Sequence, residues 1–208
     1  MSKVESVTVE GEGIARGTPD VLRLDLGVES QGRSVSAALD GTSSAMTAVL
    51  DALRAAGVAQ ADVATTGLSI RSVHDPDGRT VVAYVAATSA AVLLRDLAAA
   101  GATIAAAADA GGDAARIHGV RFDLQDDADL RHQAREAAVA DASVRARTYA
   151  AAAGRSLGRV LRIAETGQGR PVPVRAGRMM AMAEAASVPM EGGSHEVSVT
   201  VTVEWALV

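Results

Sequence analysis

Three glycines near the start of the chain have the residue type, but not the spacing, of a phosphate-binding loop. Gly11, Gly13 and Gly17 follow a valine-rich run in the stretch VEGEGIARGTPD. A dinucleotide site needs G-x-G-x-x-G and a helix directly after it, because the free amides at the helix N-terminus hold the anion. Here Pro19 and an alternating, strand-like run follow instead. We therefore expect these glycines to serve a bend, a bulge or a close backbone approach.

The histidines form no recognisable metal or catalytic constellation in the sequence. His132 and Glu136 have the spacing to share a metal on a helix, but no third ligand with a matching spacing is visible, which favours a solvated pair. His118 is expected to be partly buried on the apolar face of a strand. His195 and Glu196 point to opposite sides of a strand. Since no G-x-S-x-G motif is present either, we expect no catalytic site and no cofactor.

A methionine-rich segment before the last predicted strand is the remaining candidate for chemistry. Residues 166–194 show no sustained period and predict an irregular arm or lid. Thioether and imidazole groups suit Cu(I). The favoured interpretation is instead an adaptable hydrophobic surface for a partner subunit, because methionine packs into irregular gaps. The groups concerned belong to Met179, Met180, Met182, Met190 and His195.

Composition excludes several classes of function. The chain has 208 residues, of which 49% are hydrophobic, and it contains no cysteine, which excludes disulfides, thiolate metal sites and cysteine nucleophiles. The net charge of -5 disfavours a nucleic-acid partner, which needs clustered Lys and Arg. The longest stretch of low polarity, residues 97–108, is shorter than the roughly 20 residues of a spanning helix, so we expect no transmembrane segment.

Hydrophobic periodicity predicts the elements that carry these residues. Alternating apolar and polar residues predict strands, most clearly over 21–28 and 196–205. Apolar residues at three- and four-residue steps predict three helices, over 34–57, 96–110 and 126–154. Further strands are expected at the N-terminus and over 63–73, 80–94, 117–124 and 159–165.

The order of these elements predicts an α+β fold. A turn sequence, Asp75-Pro76-Asp77-Gly78, joins two of the strands into a hairpin. Mixed runs with a hairpin favour a mainly antiparallel mixed sheet packed by three helices. We expect a single domain over residues 1–208, with the arm inside it.

The sequence resembles the SIMPL-domain family, the bacterial group of periplasmic immunogenic and oxidative-stress-defence proteins. The resemblance implies an α+β domain, no established catalytic site and, in some members, ring-like or channel-like homo-oligomers of the cell envelope. Envelope members carry a signal peptide, whereas no apolar segment precedes the first strand here, so we expect a cytoplasmic location. In order along the chain, the matching stretches are VTVEGEGIARGTPDVLRLDLGVES, ALRAAGVAQADVATTGLSI, AYVAATSAAVLLRDL, HGVRFDL, AREAAVADASVRARTYAAAAGRSLGRVLRIAETG and HEVSVTVTVEWAL.

Two hypotheses of different classes follow. The leading one is a non-enzymatic SIMPL-domain protein that self-assembles into a ring-like or channel-like homo-oligomer with a link to stress defence. The arm and exposed strand edges join the subunits in this hypothesis. The alternative is a small-molecule or copper-binding module with the methionine-rich arm as a lid. The expected subunit contacts are Val172, Val174, Met179, Met180 and Met182.

Overall fold

A computed structural model describes residues 5–168, 172–174 and 192–208. Its helices are α1 (Val35–Ala55), α2 (Ala100–Gly111) and α3 (Ala128–Ala152). Its strands are β1 (Ser6–Gly17), β2 (Val21–Gly32), β3 (Val63–His74), β4 (Val81–Leu94), β5 (Ala115–Asp123), β6 (Leu157–Gln168), β7 (Val172–Val174) and β8 (Ser194–Leu207). The prediction of an α+β fold with three helices and mainly antiparallel strands is confirmed, and the strands form two sheets.

The first of two compact units contains residues 5–19, the described residues between 124 and 174, and residues 192–208. Its antiparallel sheet has the order β1-β8-β6, and β7 also pairs with β8. Helix α3 packs against this sheet through alanines spaced four residues apart, which form one narrow stripe of small side chains. The buried residues of this stripe and of the facing strand are Ala134, Ala138, Ala142, Ala146, Val199, Val201, Val203 and Trp205.

The second unit contains residues 20–123 and has a four-stranded antiparallel sheet of order β3-β4-β2-β5. The alternating leucines of β2 pack against α1 and α2 on one face of the sheet, as the period of two requires. Helix α1 begins after Ser34, whose side chain accepts a hydrogen bond from the amide of Ala37. In its second turn, the buried Thr42 hydroxyl lies within hydrogen-bond distance of the carbonyls of Ala38 and Ala86, which fixes the helix to β4.

Gly41 is tolerated inside α1 because the helix passes close to β2. A Cβ atom at this position would overlap the Ser30 hydroxyl. Glycine is thus the residue that fits at this position, and the predicted helix is present through its first turns. In the part of the chain that the structure describes, no helix is both long enough and apolar enough to cross a bilayer.

The predicted arm over residues 166–194 falls largely outside the described residues. Strand β6 continues to Gln168, and β7 pairs with the start of β8. The expected contact residues Val172 and Val174 lie in β7. Met179, Met180, Met182 and Met190 lie outside the described residues. The prediction of one domain over residues 1–208 stays a prediction.

Candidate functional site

The glycines of β1 allow helix α3 to approach the strand closely. Strand β1 keeps an unbroken register with β8 along its whole length, so Gly11 and Gly13 form no bulge. A Cβ atom at Gly13 would overlap the carbonyl oxygen of Ala134, and one at Gly11 would lie 2.6 Å from the amide nitrogen of Ala142. Close backbone approach is the role that the structure shows for Gly11 and Gly13, while Gly17 ends β1 at the short connection to β2.

The chain after Gly17 lacks the geometry of a phosphate site. Residues 18–20 lead directly into β2, and a Cβ atom at Gly17 would lie 2.5 Å from the Leu130 side chain. A pyrophosphate site needs the N-terminus of a helix at this point. The glycines therefore belong to packing and not to anion binding.

Side chains of helix α3 also bond backbone groups of the edge strand β1. The amide of Glu12 donates a hydrogen bond to the Asp141 carboxylate (2.9 Å), and the Arg145 guanidinium donates to the carbonyl of Glu10 (3.2 Å). Asp141 and Arg145 also form an ion pair with one turn between them (2.8 Å). One backbone donor and one acceptor of the edge strand are thus satisfied by side chains of the helix above it.

Strand β3 is an edge without such a cover. It pairs with β4 on one side, and no strand lies on its other side in the described ranges. Residues 64–72 are all exposed, including Leu68 (64%) and Ile70 (43%). An edge strand with exposed apolar side chains and unpaired backbone groups is a template for pairing with another strand.

His132 and Glu136, which have the spacing of a metal pair, are solvated as expected. His132 and Glu136 lie 3.8 Å apart on α3, and 71% of each side chain is exposed. The described residues contain no group of three or more His, Asp or Glu side chains arranged to hold a metal ion. This pair therefore has the position that the sequence analysis favoured for it.

His118 does not share the apolar face of β5, so that prediction is wrong. The register between β2 and β5 shifts at this point, with Asp25 opposite Gly119 and Leu26 opposite Ile117. Because of the bulge, Ile117 and not His118 lies in the same row of side chains as Val120 and Phe122. The His118 imidazole is exposed and lies over Gly27, where an added Cβ atom would be 2.8 Å from Nε2.

His195 and Glu196 point to opposite faces of the sheet, as expected. His195 is buried at the start of β8, between Gly17 of β1 and Pro173 of β7 in the ladder. Glu196 instead accepts a hydrogen bond from Arg16 on the outer face (3.0 Å). The proposed Cu(I) partners of His195 are the methionines that lie outside the described residues, so no contact tests that set.

Two carboxylates of the second unit have pKa values below the ordinary value. The Arg95 guanidinium binds Asp62 through two bonds of 2.8 Å and thereby lowers the pKa of Asp62. Backbone amides of Arg79 and Thr80 lower the pKa of Asp75 in the turn after β3. The ion pair of Asp62 and Arg95 lines a shallow groove between the end of α1 and the start of α2.

Sequence reasoning missed the edge residues Leu68 and Ile70. Alternation in the stretch LSIRSV predicted a strand correctly. Position at the edge of a sheet depends on strand order, which no local pattern encodes. The signal that was present is the pair of large apolar residues separated by Ser69 on a strand with few other large side chains.

Comparison with known sequences identifies related proteins along most of the chain. Residues 7–205 match the SIMPL family, described as a protein of unknown function (DUF541). The 26 kDa periplasmic immunogenic proteins of Brucella melitensis biotype 1 and Brucella abortus strain S19 are each 32% identical to this chain. Both alignments cover 95% of this chain and 82% of the relative.

The names of these relatives contradict the expectation of a cytoplasmic location. That prediction rested on the absence of an apolar segment before the first strand. Two relatives that align with 95% of the chain are named as periplasmic proteins. The cytoplasmic prediction is therefore wrong. The lack of an apolar segment before the first strand is weaker evidence than the names of two relatives that align with 95% of the chain.

Proposed function

Because the chain belongs to the SIMPL family of proteins of unknown function, we propose that it acts by self-assembly, as a homo-oligomeric scaffold of the bacterial periplasm. The observation that carries the proposal is the edge of β3, which no other described strand covers, with its exposed Leu68 and Ile70. Pairing at such an edge satisfies backbone groups and buries apolar side chains at the same time. The periplasmic location is taken from the names of the Brucella relatives.

A closed ring or channel needs two different contacts on each subunit. An edge that pairs with its own copy produces a dimer and then stops, whereas a second contact can join dimers into a closed assembly. We assign the second contact to the segment over residues 166–194. Its proposed contact residues are Val172, Val174, Met179, Met180 and Met182. The link to stress defence rests on the family resemblance alone.

Sedimentation velocity at micromolar concentration tests the proposal. We expect the wild-type chain to sediment as a species several times heavier than the 21.1 kDa of one subunit. A variant with residues 170–190 replaced by a Gly/Ser linker of equal length keeps the chain connected but removes the proposed second contact, so it should sediment as a dimer. A wild-type protein that stays at 21.1 kDa at every concentration would contradict self-assembly.

No described contact favours the copper-binding alternative, in which the methionine-rich segment is a lid. Calorimetry with Cu(I) separates it from the scaffold. A lid site should bind with a defined stoichiometry that is lost when Met179, Met180 and Met182 are replaced. The scaffold requires no such binding.

A further inference from the structure

The central part of β3 is a smooth stretch of open edge between two irregularities. Its register with β4 shifts between Thr65 and Gly67, and again between Val73 and His74. From Gly67 to Val73, seven residues pair one by one with Ala83 to Ser89. A β-bulge interrupts the regular spacing of backbone donors and acceptors along an edge. Only these seven residues therefore present a regular ladder to a new strand.

Only one of the features that usually prevent edge pairing, a single charged side chain, is present in this stretch. Residues 67–73 contain no proline, and their one charged side chain is Arg71. Arg71 extends toward Glu29 of the same sheet, with 3.6 Å between Nη2 and Oε2, so part of its charge is offset within its own subunit. An incoming strand of the same sequence therefore meets little electrostatic repulsion.

We propose that Gly67–Val73 pairs antiparallel with the same stretch of a second copy, which rests on the self-assembly proposed above and names its contact. A second copy fits because it supplies an equally long and equally regular ladder, with Arg71 as its one charged side chain. A two-fold axis perpendicular to the sheet keeps the helices of both copies on one face. Side chains of directly opposite residues then point to the same face of the joined sheet. Because side chains alternate between faces along a strand, the axis must pass beside one residue of β3 and not between two.

The apolar side chains select Ser69 as that residue. Leu68 and Ile70 share a row with Thr88 and Ala86 of β4, on the face that carries α1 and α2. With the axis at Ser69, Leu68 of each copy lies opposite Ile70 of the other, and four apolar side chains form one cluster. Arg71 then lies opposite Gly67, which avoids contact between two like charges.

Single cysteines test this arrangement, because the chain has none of its own and every disulfide must form at the introduced residue. Ser69→Cys places two thiols opposite each other across the axis. Ser72→Cys is the matched control in the same strand, and its two thiols are separated by six residues of strand, about 20 Å. A disulfide needs Cα atoms within about 7 Å. We expect covalent dimer to form about tenfold faster with Ser69→Cys than with Ser72→Cys, because only the first pair satisfies this limit.

The outcomes separate this inference from the proposed function. Wild-type protein that is monomeric in sedimentation would overturn both. Wild-type protein that assembles while Ser69→Cys and Ser72→Cys cross-link equally, or while Ser72→Cys cross-links faster, would overturn the β3 contact and leave self-assembly standing. Circular dichroism of both variants before oxidation shows whether they are folded, and each substitution replaces an exposed serine.

Discussion

The edge strands β1 and β3 are treated in opposite ways by the same chain. Strand β1 lies under a helix whose backbone touches its glycines and whose Asp141 and Arg145 bind its outer backbone groups. Strand β3 has no helix bonded to its edge in the described residues, and the side-chain bond that its Gly67 carbonyl accepts comes from the Thr88 hydroxyl of the neighbouring strand β4. It exposes Leu68 and Ile70. One sheet edge is thus bonded by side chains of a helix in the same subunit, whereas the described residues leave the other edge without such a cover.

The largest expected effect is on stability, in the variant Gly13→Ala, which disturbs the packing of α3 on β1. The added methyl group would overlap the carbonyl of Ala134, so α3 must shift away from β1. We expect the free energy of unfolding of the first unit to fall by about 3 kcal/mol. Denaturant titration followed by the fluorescence of Trp205 measures this, since Trp205 is the one tryptophan and lies in the core of that unit.

Gly67→Ala on the open edge is the control for that variant. Nothing lies within 4 Å of a Cβ atom at Gly67. The same chemical change should therefore alter the free energy of unfolding by no more than about 0.5 kcal/mol. Equal destabilisation by the two variants, measured by circular dichroism for both units, would show that close approach of α3 does not explain Gly13.

The second expected effect concerns assembly and compares the two edges of one sheet. Ile70 on β3 and Ile117 on β5 are similarly exposed, at 43% and 50%. Ile70→Lys introduces a charge into the proposed contact and should reduce the sedimenting mass, while Ile117→Lys should leave it unchanged. Assembly that responds to Ile117→Lys and not to Ile70→Lys would move the contact to the opposite edge.

A smaller effect is expected when the side-chain cover of β1 is removed. Asp141→Ala loses the bond to the Glu12 amide and the ion pair with Arg145, and should cost about 1 kcal/mol in the free energy of unfolding. Asp51→Ala on α1 is the control, because Asp51 pairs with Arg54 on an exposed helix surface and should cost less than about 0.5 kcal/mol. Equal costs in denaturant titrations would mean that the bond to β1 contributes nothing.

The smallest expected effect is on the pH dependence of stability. It comes from two carboxylates, one after β3 and one at the start of α3. Asp75 follows β3, and amides of Arg79 and Thr80 lower its pKa below 3.8, whereas the guanidinium of Arg131 lowers the pKa of Asp127 at the start of α3. Because both folded-state pKa values are depressed, the stabilisation is present above the ordinary carboxyl value. It is lost as the pH falls through the depressed value.

Salt should distinguish these two causes. Added salt screens the ion pair of Asp127 and should raise its pKa toward the ordinary value more than it raises the pKa of Asp75, whose bonds come from the backbone. Carboxyl-carbon NMR titrations at low and high salt measure both groups. A larger salt effect at Asp75 would contradict the assigned causes.

Local patterns in the sequence predicted the three helices and every strand except β7, which lies in the segment predicted to be irregular. Each predicted element depends on a period of two or of three to four residues. The strand alternation of β8 and the alanine steps of α3 are examples. The remaining features depend on contacts between distant residues. Close approach of α3 requires Gly13 and Ala134 to meet, and the bulge at His118 depends on how β5 aligns with β2. The position of β3 at a sheet edge likewise depends on strand order, which contacts between distant residues determine.

Hydrogen–deuterium exchange at low and high protein concentration tests the contrast between the edges most directly. Exchange reports whether a backbone amide is bonded and protected. We predict that amides within residues 67–73 become more protected as the protein assembles, while the Glu12 amide, already bonded to Asp141, keeps the same protection. Assembly without any change in the protection of residues 67–73 would contradict the account.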